Sequence, residues 1–206
     1  MAITTYAELK TAVADFLNRD DLTNTIDTFI DLAEVQLNRD VRHWKMEQRS
    51  EAEIDDQYLT LPTDWLETIR ITVEDTVPYA LNLLSRDEIQ DRRLRGANVT
   101  GKPVYYAHIA GELELYPTPD ATYNIELLYT QKLEALSASN TSNWLLSEAP
   151  DLYLYAVLLE TAIYLRDDER IAAYAGMYQS KLAALNASSK KATVSGTGLK
   201  LNIRSY

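Results

Sequence analysis

Apolar residues recur with a helical period towards both ends of the chain and with a strand period between them. Leu9, Ala12, Val13, Phe16 and Leu17 fall at i, i+3, i+4, i+7 and i+8, one face of a helix. Thr5-Tyr6-Ala7-Glu8 precedes them as a capping box, in which the Thr hydroxyl and the Glu carboxylate satisfy opposite orphan N–H groups. Ile26, Phe29, Ile30, Ala33 and Leu37 form a second stripe that runs on towards Val41 and Trp44. Residues 18–25 read as the turn between them, short enough to make the two helices antiparallel. From about Lys45 the period changes. Residues 46–54, 57–61, 65–73 and 79–83 read as short strands, punctuated by Pro62 and Pro78. Ser85-Arg86-Asp87-Glu88 is a second capping box that opens a short helix to about Arg95. Residues 103–109 and 112–116 read as a hairpin about Ala110-Gly111, and 123–131 as a further strand.

The C-terminal third returns to helices. Residues 136–147 read as a Ser/Asn-rich loop carrying one exposed aromatic, Trp144. Pro150 suits a helix start, where its missing N–H costs little. Residues 152–166 are apolar on nearly every side, so this helix is expected at the centre of its unit. Ile171, Ala175, Tyr178, Leu182 and Leu185 make the stripe of a last helix, and the periodicity stops after Asn186. Residues 199–206 alternate apolar and polar like a strand. These elements predict an α+β, mainly α chain. Residues 1–44 and 132–186 would form a four-helix bundle, residues 45–131 a small inserted antiparallel β region with one short helix, and residues 187–206 a flexible C-terminal arm.

Charge sharpens the picture of the arm. The net charge is −11, yet the last acid is Glu169, and beyond residue 186 the chain carries Lys190, Lys191, Lys200 and Arg204. An acidic body argues against general DNA binding, and a basic tail has the composition of an interaction arm. Absence of cysteine excludes disulfides, thiolate metal sites and thiol catalysis. The N-terminal residues have no basic and apolar leader pattern, and no apolar run is long enough to span a bilayer, so synthesis in the cytoplasm and no membrane partner are expected.

The search for catalytic chemistry is largely negative. There is no nucleophile elbow, phosphate loop, zinc-protease motif or dinucleotide fingerprint, and no cofactor or metal is expected. His43, between Arg42 and Trp44, and His108, after Tyr105-Tyr106, read as packing or capping residues. Glu51, Glu53, Asp55 and Asp56 cluster, and Glu112 and Glu114 alternate with Leu113 and Leu115 as if on the solvent face of a strand. A glycosidase would need two such carboxylates across a sugar cleft. Arg92, Arg93 and Arg95 form a basic patch diluted by Asp87, Glu88 and Asp91; it is read as a solvated helix face or, with Trp144, as a candidate contact between subunits. Fourteen tyrosines against two phenylalanines, five of them on the last two helices, lean towards self-association. The alternation of Leu199, Leu201 and Ile203 suits strand addition to a partner's sheet edge.

Several segments resemble one known group in order and spacing. They are Leu61-Pro62-Thr63-Asp64-Trp65-Leu66-Glu67, Gly101-Lys102-Pro103-Val104-Tyr105-Tyr106, Glu112-Leu113-Glu114-Leu115-Tyr116-Pro117, and Asn143-Trp144-Leu145-Leu146 followed by Pro150-Asp151-Leu152-Tyr153-Leu154-Tyr155-Ala156. Across about residues 1–190 the chain resembles the head-to-tail adaptor proteins of tailed bacteriophages, including the podovirus tail accessory factors and tail tubular A proteins. The resemblance implies a helical bundle with an inserted β region. It implies a virion ring, commonly a dodecamer, between the portal protein ring and the downstream tail, nozzle or stopper protein. DNA would transit its lumen without sequence-specific binding. The C-terminal arm would engage the portal, here through Lys190, Lys191, Leu199, Lys200, Leu201, Ile203, Arg204 and Tyr206. Removal of residues 187–206 is expected to leave the fold intact and abolish docking. Two other readings remain open from sequence: a cytosolic adaptor whose arm binds another sheet, and a cell-wall or polysaccharide hydrolase using Glu112 and Glu114, or Glu51 and Asp55.

Overall fold

A computed structural model describes residues 3–18, 22, 25–96 and 99–194. The chain divides into two compact units, one of residues 1–46 with 133–206 and one of Glu47–Lys132. The described residues of the first unit hold α1 (Tyr6–Leu17), α2 (Ile26–Asp40), α4 (Trp144–Glu148), α5 (Pro150–Leu165) and α6 (Asp168–Val194). The second holds β1 (Glu47–Ile54), β2 (Tyr58–Thr60), β3 (Trp65–Glu74), β4 (Tyr79–Ala80), β5 (Asn82–Leu83), α3 (Arg86–Gly96), β6 (Tyr105–Ile109), β7 (Glu112–Tyr116) and β8 (Tyr123–Gln131).

The α+β class holds, but the four-helix bundle with a small β insert does not: the described residues contain six α-helices and two four-stranded sheets. The helical unit is organised around one helix instead of four equal ones. α5 buries Leu152, Tyr153, Leu154, Ala156, Val157, Leu158 and Leu159, residues that point in every direction around its axis. A helix apolar all round needs neighbours on all sides, and α1, α2, α4 and α6 each pack against it. α1 opens on the expected capping box, with Glu8 N–H donating to Thr5 Oγ1 at 3.3 Å and Thr5 N–H donating to Glu8 Oε2 at 3.0 Å. It ends at Asn18 in the left-handed region, φ 49°.

Two elements of this unit depart from the periodicity. The Ser/Asn-rich stretch contains α4, nucleated by Asn143, whose Oδ1 accepts from Leu146 N–H at 2.9 Å. α6 continues nine residues past Leu185, the last apolar stripe position, and carries Lys190 and Lys191 on its final turns. Polar docking explains the extension. Asn186 Oδ1 accepts from Arg42 N–H at 3.2 Å, and the buried Ser189 hydroxyl accepts from Trp44 N–H at 3.0 Å. The helix thus supplies acceptors for N–H groups of the turn that follows α2. Ser189→Ala is expected to cost about 1–2 kcal/mol and to speed hydrogen exchange at the Trp44 amide selectively. Unchanged exchange there would show that the contact contributes nothing.

The β unit has its own core. β1-β8-β3-β4 form one sheet and β2-β7-β6-β5 the other. Ile54, Ile71, Val73, Ile125, Leu127 and Tyr129 of the first share a buried cluster with Tyr106, Leu113 and Leu115 of the second. β6 and β7 meet in the expected hairpin, where Ala110 (φ 45°) and Gly111 (φ 90°) both take positive φ, as the tight hairpin turn requires. The strand read over 79–83 divides at Leu81. Tyr79–Ala80 pairs antiparallel with β3, and Asn82–Leu83 pairs parallel with β6. Leu81 is buried between them, its N–H donating to the Ile71 carbonyl at 2.9 Å. That crossover makes two facing sheets from what the sequence presents as one. No helix among the described residues is long and apolar enough to cross a membrane.

Candidate functional site

Arg92, Arg93 and Arg95 of α3 have three different fates. Ser85 and Glu88 form the predicted capping box, which fixes the helix start. Arg93, one position from Arg92, turns inward with its side chain 8% exposed. Its Nε donates to Glu114 Oε1 at 2.8 Å, Nη1 to Thr118 Oγ1 at 3.0 Å and Nη2 to the Leu115 carbonyl at 2.6 Å. Glu114 is itself 2% exposed and also accepts from Gln57 Nε2 at 3.1 Å. Arg92 is half-buried, with its guanidinium 4.5 Å from the centre of the Tyr105 ring, and its buried Nη1 has no hydrogen-bond partner among the described residues. Arg95 is exposed and meets Asp91 at 3.4 Å.

Glu112 and Glu114 therefore do not share a solvent face. Glu112 is exposed, while Glu114 is held by Arg93 beneath α3. Of the other carboxylate pair, Glu51 sits on β1 and Asp55 in the turn after it, both exposed. A depression of about 290 Å³ beside Glu51 is lined by Glu53, Glu74, Ala52, Asn124 and Ile125, without Asp55. No group of three or more His, Asp or Glu among the described residues is arranged to hold a metal ion.

Both histidines pack on aromatic rings. His43 stacks on Trp144 with ring centres 5.0 Å apart and planes at 25°, and its Nδ1 accepts from Lys45 N–H at 3.3 Å. Burial lowers its pKa. Trp144, read as an exposed aromatic and contact candidate, is half-buried in this stack. His108 lies against Trp65 and Tyr106, and burial lowers its pKa as well.

Two of the five tyrosines of the last two helices are core residues, while Tyr155 and Tyr174 are half-buried and Tyr164 is exposed. Tyr178 is fully buried and donates to Asp40 Oδ2 at 2.8 Å. Tyr153 is fully buried and donates to Glu34 Oε1 at 2.5 Å. The same oxygen accepts from Leu136 N–H at 2.8 Å, so Glu34 ties α5 and the 133–143 segment to α2. Burial is the main cause that raises the Glu34 pKa, and it raises that of Tyr153 too. A carboxyl raised on folding contributes stability fully below its unfolded pKa, about 4.3, and loses that contribution as pH rises through the folded value. Glu34→Gln keeps the shared oxygen acceptor and cannot ionise. Its stability relative to the parent chain is expected to grow between about pH 4 and pH 7. Parallel stability curves over that window would refute the assignment.

Sequence reasoning missed two surface features of the helical unit. Leu32 (48% exposed), Val35 (47%) and Ile163 (51%) line a groove of about 450 Å³ between α2 and α5. The available signal was that Leu32 and Val35 fall outside the Ile26–Phe29–Ile30–Ala33–Leu37 stripe, on what should be the charged face. Tyr6, Ala7, Lys10, Ala14, Ile26 and Ala138 line a larger, mostly apolar depression of about 760 Å³ beside α1. Of the arm residues, Lys190 and Lys191 lie on exposed turns of α6, whereas Leu199, Lys200, Leu201, Ile203, Arg204 and Tyr206 lie outside the described residues.

Of the candidate acids, Glu114 is held by Arg93, whereas Glu112, Glu51 and Asp55 are exposed. The family model of the SU10 adaptor protein matches residues 4–198, a span that includes both compact units. No curated protein matches the chain.

Proposed function

The chain belongs to the SU10 adaptor protein family, a family of phage head-to-tail adaptors, and from that premise we propose that it forms a ring at the head-to-tail junction of the virion. The ring lies between the portal protein and the next tail component, a nozzle or stopper, and packaged DNA passes through it. The observation that carries this reading is the extent of the family match, which takes in the helical unit, the β unit and the start of the arm. Two further features support it. Net charge of −11 disfavours adhesion of DNA to the wall of a channel. The disposition of Glu114, gripped by a buried arginine, leaves the hydrolase reading without its first candidate pair.

The C-terminal arm, with Lys190, Lys191, Leu199, Lys200, Leu201, Ile203, Arg204 and Tyr206, docks on the portal ring. Arg95 is the better placed of the candidate contacts between copies, because Arg93 is consumed internally, Arg92 is half-buried against Tyr105 and Trp144 is half-buried against His43. The test is sedimentation of the purified chain with the portal ring. Stoichiometric co-sedimentation supports the adaptor reading. A portal boundary that leaves the chain behind refutes it.

A further inference from the structure

β1 is a long strand with an open edge. It pairs with β8 on one side, and among the described residues no strand or backbone hydrogen bond occupies the other. The remaining edge strands β2, β4 and β5 are three, two and two residues long, against eight for β1. Alternation puts Glu47, Arg49, Glu51 and Glu53 on one face of β1 and Gln48, Ser50, Ala52 and Ile54 on the other. Ile54 belongs to the core of the β unit and Ala52 packs against that core. On the outer face Arg49 pairs with Glu126, whereas Glu47, Glu51 and Glu53 are exposed and have no ion pair among the described residues.

An unpaired eight-residue edge is a template for another strand, and charge decides which strand it accepts. Two copies of β1 are poor partners, because each presents a net acidic face to the other. A strand with cations on one face and apolar residues on the other fits. One segment of this chain has that alternation in its sequence. In residues 199–206, Lys200, Asn202, Arg204 and Tyr206 alternate with Leu199, Leu201, Ile203 and Ser205. Its two cations are four residues apart with an uncharged residue between them. Glu47 and Glu51 are also four apart, with Arg49 between them. A register that sets both cations against both carboxylates therefore sets Asn202 against Arg49 and creates no like-charge pair.

We propose that residues 199–206 of one copy add as a strand to the β1 edge of a second copy. Lys200 and Arg204 meet Glu47 and Glu51, and Leu199, Leu201 and Ile203 lie on the face that carries Ala52 and Ile54. The segment matches β1 in length. Residues 195–198 join Val194, the end of α6, to this segment and can span about 13 Å when extended. The contact goes beyond portal docking and does not rest on it, since it is formed in the absence of a portal; where both partners are present, the portal and β1 compete for one arm.

The test is sedimentation velocity of the full chain alone, across protein concentration and salt. The proposal predicts self-association that weakens with added salt and is lost in a chain ending at Val194. Lys200→Glu/Arg204→Glu in the arm and Glu47→Lys/Glu51→Lys at the exposed edge are each expected to be monomeric alone. Mixed together they should associate again, because the reversed arm now fits the reversed edge. A full chain that is monomeric throughout, association that survives removal of residues 195–206, or a mixture that stays monomeric would overturn it. None of those results would alter binding to the portal, which is measured separately.

Discussion

Arg93→Ala is expected to unfold the β unit at much lower denaturant, with a loss of about 3–5 kcal/mol. The side chain makes three hydrogen bonds inside the unit and neutralises Glu114, whose own exposure is 2%. Removing it leaves a carboxylate in a dry site with Gln57 Nε2 as its remaining side-chain donor. The cost comes from stranding that charge more than from losing an attraction, and a second variant separates the two. Arg93→Met with Glu114→Leu removes both charges and keeps the bulk. That double variant should recover most of the lost stability, because well-packed apolar pairs replace buried ion pairs at little cost. Chemical denaturation followed by a probe in the β unit, such as Trp65, reads both. A single variant as stable as the parent chain would show that the Arg93–Glu114 pair contributes nothing to the fold. The result also bears on catalysis, since a carboxylate that exists to hold α3 onto β7 is not free to protonate a substrate.

Shortening the arm should have an equally large effect on docking and none on folding, provided the cut is made in the right place. The end of the apolar stripe suggests a cut after Asn186. The structure moves it to Val194, because Ser189 holds the Trp44 amide and Asn186 the Arg42 amide. A chain ending at Val194 is expected to melt like the full chain and to lose stoichiometric binding to the portal ring. One ending at Asn186 is expected to melt earlier as well, since the Ser189 acceptor is gone. Full binding by the Val194-terminated chain would place the portal contact elsewhere, with the exposed Leu32, Val35 and Ile163 groove the next surface to test.

Local chemistry was readable from the sequence wherever a few neighbouring residues decide the outcome. Both capping boxes, the Ala110-Gly111 turn and the strands Glu112–Tyr116 and Tyr123–Gln131 stand where the pattern put them. What the pattern could not show depends on distant partners. The burial of Glu114 requires Arg93, 21 residues earlier on α3, so alternation with Leu113 and Leu115 set it opposite the core but could not show that its carboxylate is covered. The second sheet depends on Leu81, where one apolar run serves two sheets. The length of α6 depends on two polar side chains capping a turn some 145 residues earlier. The mistaken bundle has a different origin. The apolar periphery of residues 152–166 correctly implied a central helix, and a central helix is incompatible with four equivalent ones. At the candidate site the basic cluster was legible as residues, but the division of Arg92, Arg93 and Arg95 between a ring contact, a buried pair and solvent was not.

A ring-forming adaptor between portal and tail, as proposed above, adds its mass to the portal ring. The complex is then heavier than the portal by a closed set of 23.4 kDa subunits, each dependent on residues 195–206. A portal that keeps its own mass in the presence of excess chain would contradict that proposal.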